Sequence, residues 1–386
     1  MVELNKKQAE GLETVVKKYQ MEDDSAIVSG FAGTGKSFLV SKIIDKLGLA
    51  EEEYATATFT GKAAQVQQQK GQHNARTLHK LLYNSFKTKD GFVHTPKKVG
   101  DEALAKLKLI VVDEFSMVPE NIIRALEQHK IFIIYLGDPA QLPPIGQPNS
   151  VMQREPDVFL DEVMRQADGN SIVEWSMKVR EGKRFKWEND DFVQIIDQKD
   201  VVSGMYTWAD QILCFKNATR NRINQEMRQI LGHSGPIPQE GEKVIVTKNN
   251  WERLSLGGHS WVNGMIGYVS NITELGNHGP VGNPLKVDLR PDFDGAPFFN
   301  VPIDGNPFYG FAPLDTGRMR GEGRPEVIDF GYCITTHKSQ GSEYDKVMLF
   351  EEDWRIDQLV QILYTAGTRA RLRLLIVRKP HGSFFL

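Results

Sequence analysis

Apolar residues recur along this chain in two rhythms, and the alternation between them predicts its architecture. Short unbroken runs at 26–28, 109–112, 131–136, 212–215, 347–350 and 374–377 are bounded by polar residues or glycine and predict buried strands. Residues 54–58 add one more short strand. Between these runs the apolar positions shift to helical spacing. Leu4, Ala9, Leu12, Val15, Val16 and Tyr19 form the stripe of a helix capped by Asn5 and running to about Gln20. Residues 38–47 and 171–179 follow the same spacing, and a further helix carries Asn217, Thr219, Arg220, Arg222 and Asn224. Strand alternating with helix predicts an α/β fold with parallel sheets, and the alternation begins afresh in the second half. Two stretches break it. Residues 241–250 and 261–269 alternate as strands, with Asn263-Gly264 as a turn signal, and residues 276–325 are rich in Gly, Pro, Asn and Asp. Residues 85–94 predict a β-hairpin with Asp90-Gly91 at its tip.

The strand ends carry the candidate chemistry. Gly30-Phe31-Ala32-Gly33-Thr34-Gly35-Lys36-Ser37 matches G-x-x-x-x-G-K-[ST] between a strand and a helix. Glycines there let backbone N–H groups close on phosphates, Lys36 reaches the β- and γ-phosphates, and Ser37 is a ligand for Mg²⁺. Thr34 lies within the same loop. Asp113-Glu114 ends another apolar strand: Asp113 is placed for the Mg²⁺ shell and Glu114 to orient and deprotonate an attacking water. Gln141, in Gly137-Asp138-Pro139-Ala140-Gln141-Leu142-Pro143-Pro144, is placed to sense a γ-phosphate. Thr60-Gly61-Lys62 turns from strand to helix with donors suited to a nucleic-acid phosphate, or simply caps that helix. Gln8 alone reads as a solvated glutamine or as an adenine contact. Phe86, Phe92 and His94, with nearby lysines, suit base stacking on a projecting hairpin, or form a local aromatic pair.

Composition narrows the class. With 386 residues, 40% hydrophobic and 25% charged, the chain suits two or three globular domains with full cores. No apolar run is long enough to span a bilayer, and the N-terminus shows no secretory pattern. Cys214 and Cys333 sit in separate apolar runs and read as buried free thiols in a reducing compartment. A net charge of −3 argues mildly against a nucleic-acid-coating protein and leaves room for a local basic groove.

Taken in order, these stretches resemble the superfamily 1 helicases, and among them the Dda-like and RecD-like enzymes. Gly137 to Pro144 resembles motif III, Asp113-Glu114-Phe115-Ser116-Met117 motif II, Thr60-Gly61-Lys62-Ala63-Ala64 motif Ia and Thr77-Leu78-His79 motif Ib. The resemblance extends from Gln8 to Arg371. It implies two RecA-like motor domains, at 1–168 and at 169–240 with 326–386. A small β-barrel is inserted at 241–325 and the hairpin at 83–98. It implies an ATP- and Mg²⁺-dependent DNA helicase moving 5′ to 3′ on single-stranded DNA, and it assigns Gln8 to adenine. Asp161-Glu162-Val163-Met164-Arg165 resembles motif IV, whose arginine, here Arg165, touches the γ-phosphate. Thr335-Thr336-His337-Lys338-Ser339-Gln340-Gly341-Ser342-Glu343 resembles motif V, implying DNA-backbone contacts at Thr335, His337 and Lys338, shared by Thr60, Lys62, Thr77, His79 and Asn217. Gln340, Gly341 and Glu343 would face the nucleotide. Tyr364-Thr365-Ala366-Gly367-Thr368-Arg369 resembles motif VI with Arg369 as arginine finger, Gly367 being a small departure. The implied partners are single-stranded and forked or duplex DNA, together with single-strand-binding or replication proteins. The implied setting is a monomer in the cytoplasm of a bacterial or phage-infected cell, away from membranes. A translocase that strips proteins without unwinding, and a nucleotide-gated DNA-binding protein, are the alternatives.

Overall fold

The computed structural model describes residues 4–69, 71–72, 74–88, 91–143, 148–162, 170–257, 259–274, 284–293, 295–314, 324–353 and 355–385. The chain opens with helix α1 (Lys6–Gln20), then β1 (Ser25–Gly30) and α2 (Lys36–Leu47). Next come β2 (Tyr54–Thr58), α3 (Gly61–Gln69), β3 (Arg76–Thr77) and α4 (Leu78–Leu82). The hairpin strands β4 (Tyr83–Thr88) and β5 (Gly91–Pro96) precede α5 (Glu102–Ala105). Then β6 (Leu109–Asp113), α6 (Glu120–Glu127), β7 (Phe132–Gly137) and β8 (Val158–Leu160) follow. Six of these strands make one parallel sheet in the order β3-β2-β6-β7-β1-β8. Its two faces are covered by separate apolar clusters. One is centred on Leu78, Ile110, Val112 and Ile123, the other on Val15, Leu39, Ile43 and Ile134. That double burial is why the strands read as unbroken apolar runs.

Asn5 caps α1 as expected: its side chain accepts the Gln8 N–H at 2.8 Å, and the Gln8 side chain accepts the Asn5 N–H at 3.1 Å. The buried face differs from the predicted stripe. Gln8 is 1% exposed while Ala9 faces solvent. A polar side chain is admitted there because both its amide oxygen and its amide nitrogen are hydrogen-bonded.

The second half opens with α7 (Ile172–Arg180), β9 (Val193–Asp197), α8 (Ser203–Trp208), β10 (Gln211–Cys214) and α9 (Asn217–Ile230). An antiparallel region interrupts it. Its strands are β11 (Lys243–Val246), β12 (Asn250–Leu254), β13 (Ser260–Trp261), β14 (Ile266–Glu274), β15 (Pro284–Pro291), β16 (Phe298–Asp304) and β17 (Ile328–Phe330). The chain then returns with β18 (Cys333–Thr335), α10 (Thr336–Ser339), β19 (Tyr344–Phe350), α11 (Ile356–Gly367) and β20 (Ala370–Arg378). The second parallel sheet has the order β18-β10-β19-β20-β9, so strands from both sides of the interruption interleave. Cys214 and Cys333 are buried and free within it, their sulfurs 3.5 Å apart.

Where a barrel is expected, five antiparallel strands form a sheet in the order β16-β15-β14-β11-β17, and the bridge Ile303–Glu326 links its two edges. β17 belongs to this sheet through β11, although its residues lie past the expected boundary at 325. Trp261 is wholly buried with its ring edge-on to Phe298, a core residue and no base-stacking platform. The root of the interruption is fixed by a buried ion pair, Arg228 Nε to Glu242 Oε1 at 2.8 Å, with further bonds from the guanidinium to the carbonyls of Gly235 and Ile237.

The departure at Gly367 has a steric cause. A Cβ there would lie 2.1 Å from Trp175 Cζ3, and Trp175 is fully buried against α11. The indole fills the space a larger residue would take. Gly367→Ala is therefore expected to destabilise the second domain by about 1–3 kcal/mol. A thermal melt showing no loss of stability would refute the overpacking.

Candidate nucleotide site

The C-terminal ends of β1, β2, β6 and β7 open on one cleft, where parallel sheets hold ligands. Its far wall comes from the second sheet and from the antiparallel region. The cleft holds a cavity of about 540 Å³ lined by Lys36, Ser37, Asp113, Glu114, Gln141, Gly341, Glu343 and Arg369. Eight residues singled out from separate stretches thus meet in one place. Gly33, Thr34 and Gly35 line it too, whereas Gln8 and Gly30 do not.

The phosphate loop is built as its glycines require. Gly33 and Gly35 have φ of +78° and +79°, the left-handed region that an L side chain rarely occupies. This turns successive N–H groups toward the cavity at the N-terminus of α2. Lys36 Nζ donates to the loop's own carbonyls, Gly30 at 2.9 Å and Phe31 at 2.8 Å. Gln8 reaches the loop from behind: its Nε2 donates to the Thr34 carbonyl at 3.2 Å. Its other amide atom accepts from Asn5, so Gln8 steadies the loop from outside the cavity.

Two carboxylates end β6. Asp113 accepts from Gln67 Nε2 and, at 2.9 Å, from the Glu114 N–H. Burial, and then the charge of Glu114, push its carboxyl up to about 6, while Lys36 pulls the other way. Glu114 has φ +52°, an αL backbone unusual for a side-chain-bearing residue and worth noticing at a functional position. Its carboxylate lies 3.9 Å from Arg369 NH1. Gln141 is buried and its Oε1 has no protein partner. Ser37 and Asp113 supply hard oxygen donors, and the Gln141 oxygen adds a buried acceptor without a partner. The cavity's residues thus fit a Mg²⁺-bound triphosphate with an attacking water.

Arg369 enters from the second domain. Its guanidinium is buried and held by Thr365 O at 3.1 Å, Thr368 Oγ1 at 3.3 Å and Ser342 O at 3.5 Å. Gly341 brings motif V across the cleft: with φ +76°, a Cβ there would sit 2.8 Å from Ala63 Cβ. Only glycine permits that approach.

Contacts across the cleft include several from residues that carried no assigned role. The Tyr364 hydroxyl donates to Asp138 Oδ2 at 2.5 Å and accepts from the Ala32 N–H at 3.4 Å. Burial raises the carboxyl of Asp138 above its ordinary range. The Leu142 N–H donates to Thr365 Oγ1 at 2.9 Å, and Gln340 Nε2 donates to Leu142 O at 3.1 Å. The Arg180 guanidinium stacks 3.3 Å from the centre of the Phe31 ring. Tyr364 and Asp138 stand inside recognised motifs; Arg180 and Gln67 carry no signal in the sequence.

The residues expected at DNA divide. Thr335 ends β18, with His337 and Lys338 following in α10, and Asn217 opens α9 three residues after Cys214, the partner of Thr335 in the sheet. Burial lowers the His337 imidazole below its ordinary range, and its ring lies 5.5 Å from that of Phe215. His79 is exposed beside Tyr83. Thr77 is buried, and its hydroxyl caps α4 by accepting the Lys80 N–H at 3.2 Å, which withdraws it from solvent. Thr60 Oγ1 likewise accepts the Ala63 N–H. Lys62 departs most from expectation. It lines the nucleotide cavity and pairs with Asp292, because α3 begins at the cleft floor. The hairpin pairs Ser85 with His94 and Lys87 with Phe92, and Thr88 with Gly91. The side chains of Phe86, Phe92 and His94, the tip residues 89–90, and Arg165 lie outside the described residues.

The chain is similar to known proteins. An AAA domain model matches residues 3–203, and a UvrD-like helicase C-terminal domain model matches residues 330–377. The ATP-dependent RecD2 DNA helicase of Deinococcus radiodurans is 25% identical over 377 residues, spanning 90% of this chain and 46% of that protein. The chain thus spans about half the length of that relative. Uncharacterized protein R530 of Acanthamoeba polyphaga mimivirus is 34% identical over 475 residues, spanning 89% of this chain and 93% of that protein. In fold, the chain is similar to Pif1 helicase in a structure of two such helicases at forked double-stranded DNA. That match has a TM-score of 0.58 and 18% identity, over 97% of this chain and 92% of the other. The two family models, one for each half of the motor, place the chain in the superfamily 1 helicases, with an AAA domain over residues 3–203 and a UvrD-like helicase C-terminal domain at 330–377.

Proposed function

We propose that the chain is an ATP-dependent DNA helicase that moves 5′ to 3′ along single-stranded DNA and opens the duplex ahead of it. One observation carries this reading. The phosphate loop and carboxylates of one parallel sheet share a cavity with Arg369 of the other. A protein that only binds nucleotide needs neither Glu114 nor an arginine from a second domain. The family membership and the relatives' printed activity support the choice of DNA.

In this reading Ser37 and Asp113 hold Mg²⁺, which when bound neutralises charge on the phosphates. Lys36 and the loop N–H groups bind the triphosphate. Glu114 orients the water and takes its proton, Gln141 registers the γ-phosphate, and Arg369 stabilises the charge that develops there. Losing the γ-phosphate removes the group that both domains grip, and the cleft opens. Motor domains at 1–168 and at 169–240 with 326–386 then alternate their hold on the strand. Asn217, Thr335, His337 and Lys338 form the grip of the second, and the hairpin at 83–98 is the wedge.

The test measures ATP hydrolysis with and without single-stranded DNA, and strand displacement on forks bearing a 5′ or a 3′ tail. The expected result is hydrolysis stimulated by DNA and displacement from the 5′ tail, lost when residues 85–95 are deleted. Absence of stimulation overturns the motor reading. Stimulation without displacement leaves a translocase, and displacement surviving the deletion removes the wedge.

A further inference from the structure

We propose that Lys62 and Asp292 form a nucleotide-responsive clasp, in which the terminal phosphate of a bound triphosphate takes Lys62 from Asp292 and releases the antiparallel sheet from the first domain. The proposal rests on the reading of the cavity as a nucleotide site.

Lys62 stands in the first turn of α3, while Asp292 follows β15 in the antiparallel sheet. Their side chains meet across the seam at 3.1 Å and are 11% and 24% exposed. Lys62 Nζ also lies 5.5 Å from the centre of the Phe293 ring. All three residues line the cavity that holds Lys36, Asp113, Glu114 and Arg369. The antiparallel sheet, far from the phosphate loop in sequence, therefore forms part of the nucleotide wall.

Strand order fixes which end of a nucleotide Lys62 meets. The phosphate loop follows β1 and the carboxylates follow β6; Lys62 follows β2, one strand further from the loop than the carboxylates. In this proposal the terminal phosphate of a triphosphate seated on the loop extends toward the carboxylates and Lys62, which line the same cavity. Lys62 then has two anionic claimants, the Asp292 carboxylate and the γ-phosphate. A terminal phosphate carries more charge and more acceptor oxygens than one carboxylate, so it is the stronger partner for a point charge such as an ammonium. On this proposal a diphosphate, which lacks the terminal group, leaves the clasp shut. Asp292 is tied to the sheet by its own N–H, which donates to the Ile266 carbonyl at 3.0 Å, so its ion pair couples α3 to that sheet directly.

The experiment compares Asp292→Asn and Lys62→Met with the parent chain, each checked by thermal melting. Fluorescent nucleotide binding is measured for a non-hydrolysable triphosphate and for the diphosphate. Asn keeps an acceptor oxygen but no charge to hold the ammonium, so Asp292→Asn is expected to tighten the triphosphate about tenfold, the scale of one charge-assisted hydrogen bond, and to leave the diphosphate unchanged. Lys62→Met weakens the triphosphate alone. Dyes on cysteines placed at exposed Met21 and Phe299 report the separation of the two bodies. In the parent chain the separation changes on adding the triphosphate; in both variants it is already changed without nucleotide. A purely structural ion pair would lower melting temperature and leave the ratio of the two affinities alone, and that result overturns the clasp. So does a dye separation indifferent to nucleotide. A parent chain that binds neither nucleotide would remove the proposed function and the clasp together, whereas binding with an unaltered ratio removes the clasp alone.

Discussion

Lys36→Ala is expected to reduce ATP hydrolysis and strand displacement to background while binding of single-stranded DNA survives. The ammonium is bound at 2.8 Å and 2.9 Å to carbonyls of its own loop, so the loop holds it at the cavity even before a phosphate claims it. Removing it costs the nucleotide its main cationic partner on the first domain. Among the described residues no hydrogen bond or ion pair joins Lys36 to the second sheet, and the groups proposed for the DNA grip lie at the end of β18, in α10 and at the start of α9. Alanine at the first position of α2 is a good helix former, so the helix should persist. Hydrolysis, gel-based unwinding and DNA anisotropy measured on one preparation check this, with circular dichroism for the fold. Retained hydrolysis, or a chain that no longer folds, would sink the assignment.

Arg369→Ala is expected to lower DNA-stimulated hydrolysis by about 10³–10⁵-fold with nucleotide affinity far less affected. The guanidinium is pre-positioned: three oxygens of its own domain hold it, and Glu114 lies 3.9 Å away on the other. A group positioned in advance spends little reorganisation when charge develops on the phosphate. Lysine should not rescue it, because one ammonium cannot make the several bonds that aim the planar group. Single-turnover hydrolysis beside nucleotide titration separates the two effects. Equal losses in binding and in rate would mean that Arg369 serves the ground state.

Much of this site was legible because its parts sit at the ends of strands. A buried parallel strand must be apolar, so a charged residue at its end is conspicuous, as Asp113 is, while Lys36 is marked by the glycine loop that precedes it. The strand-helix alternation located both sheets for the same reason. Other features were hidden by physics that a linear reading does not contain. Lys62 reads as a phosphate-binding lysine, but only the folded chain reveals Asp292 beside it. Asp292 and Phe293 lie in a stretch rich in turn formers, where no periodicity points to a cavity. Thr77 looked available to a ligand until its hydroxyl was found capping α4. Tyr364 and Asp138 were each visible, yet their contact joins elements 226 residues apart. Gln8 taken alone reads as a solvated glutamine or an adenine contact, whereas the hydrogen bonds of its amide are what allow it to be buried.

The interleaved order of the second parallel sheet bears on how the chain is made. β9 pairs with β20 alone among the described strands, and Asp197 meets Arg378 across 181 residues. β10 likewise finds its neighbours in β18 and β19, beyond the antiparallel region. On the ribosome, the first sheet has all its strands by Leu160, while β9 and β10 emerge early and wait as unpaired apolar edges. Such edges invite aggregation until the last strand arrives. The antiparallel sheet, complete in sequence before β18 appears, is well placed to fold in that interval and to bring the two halves of its host within reach of each other.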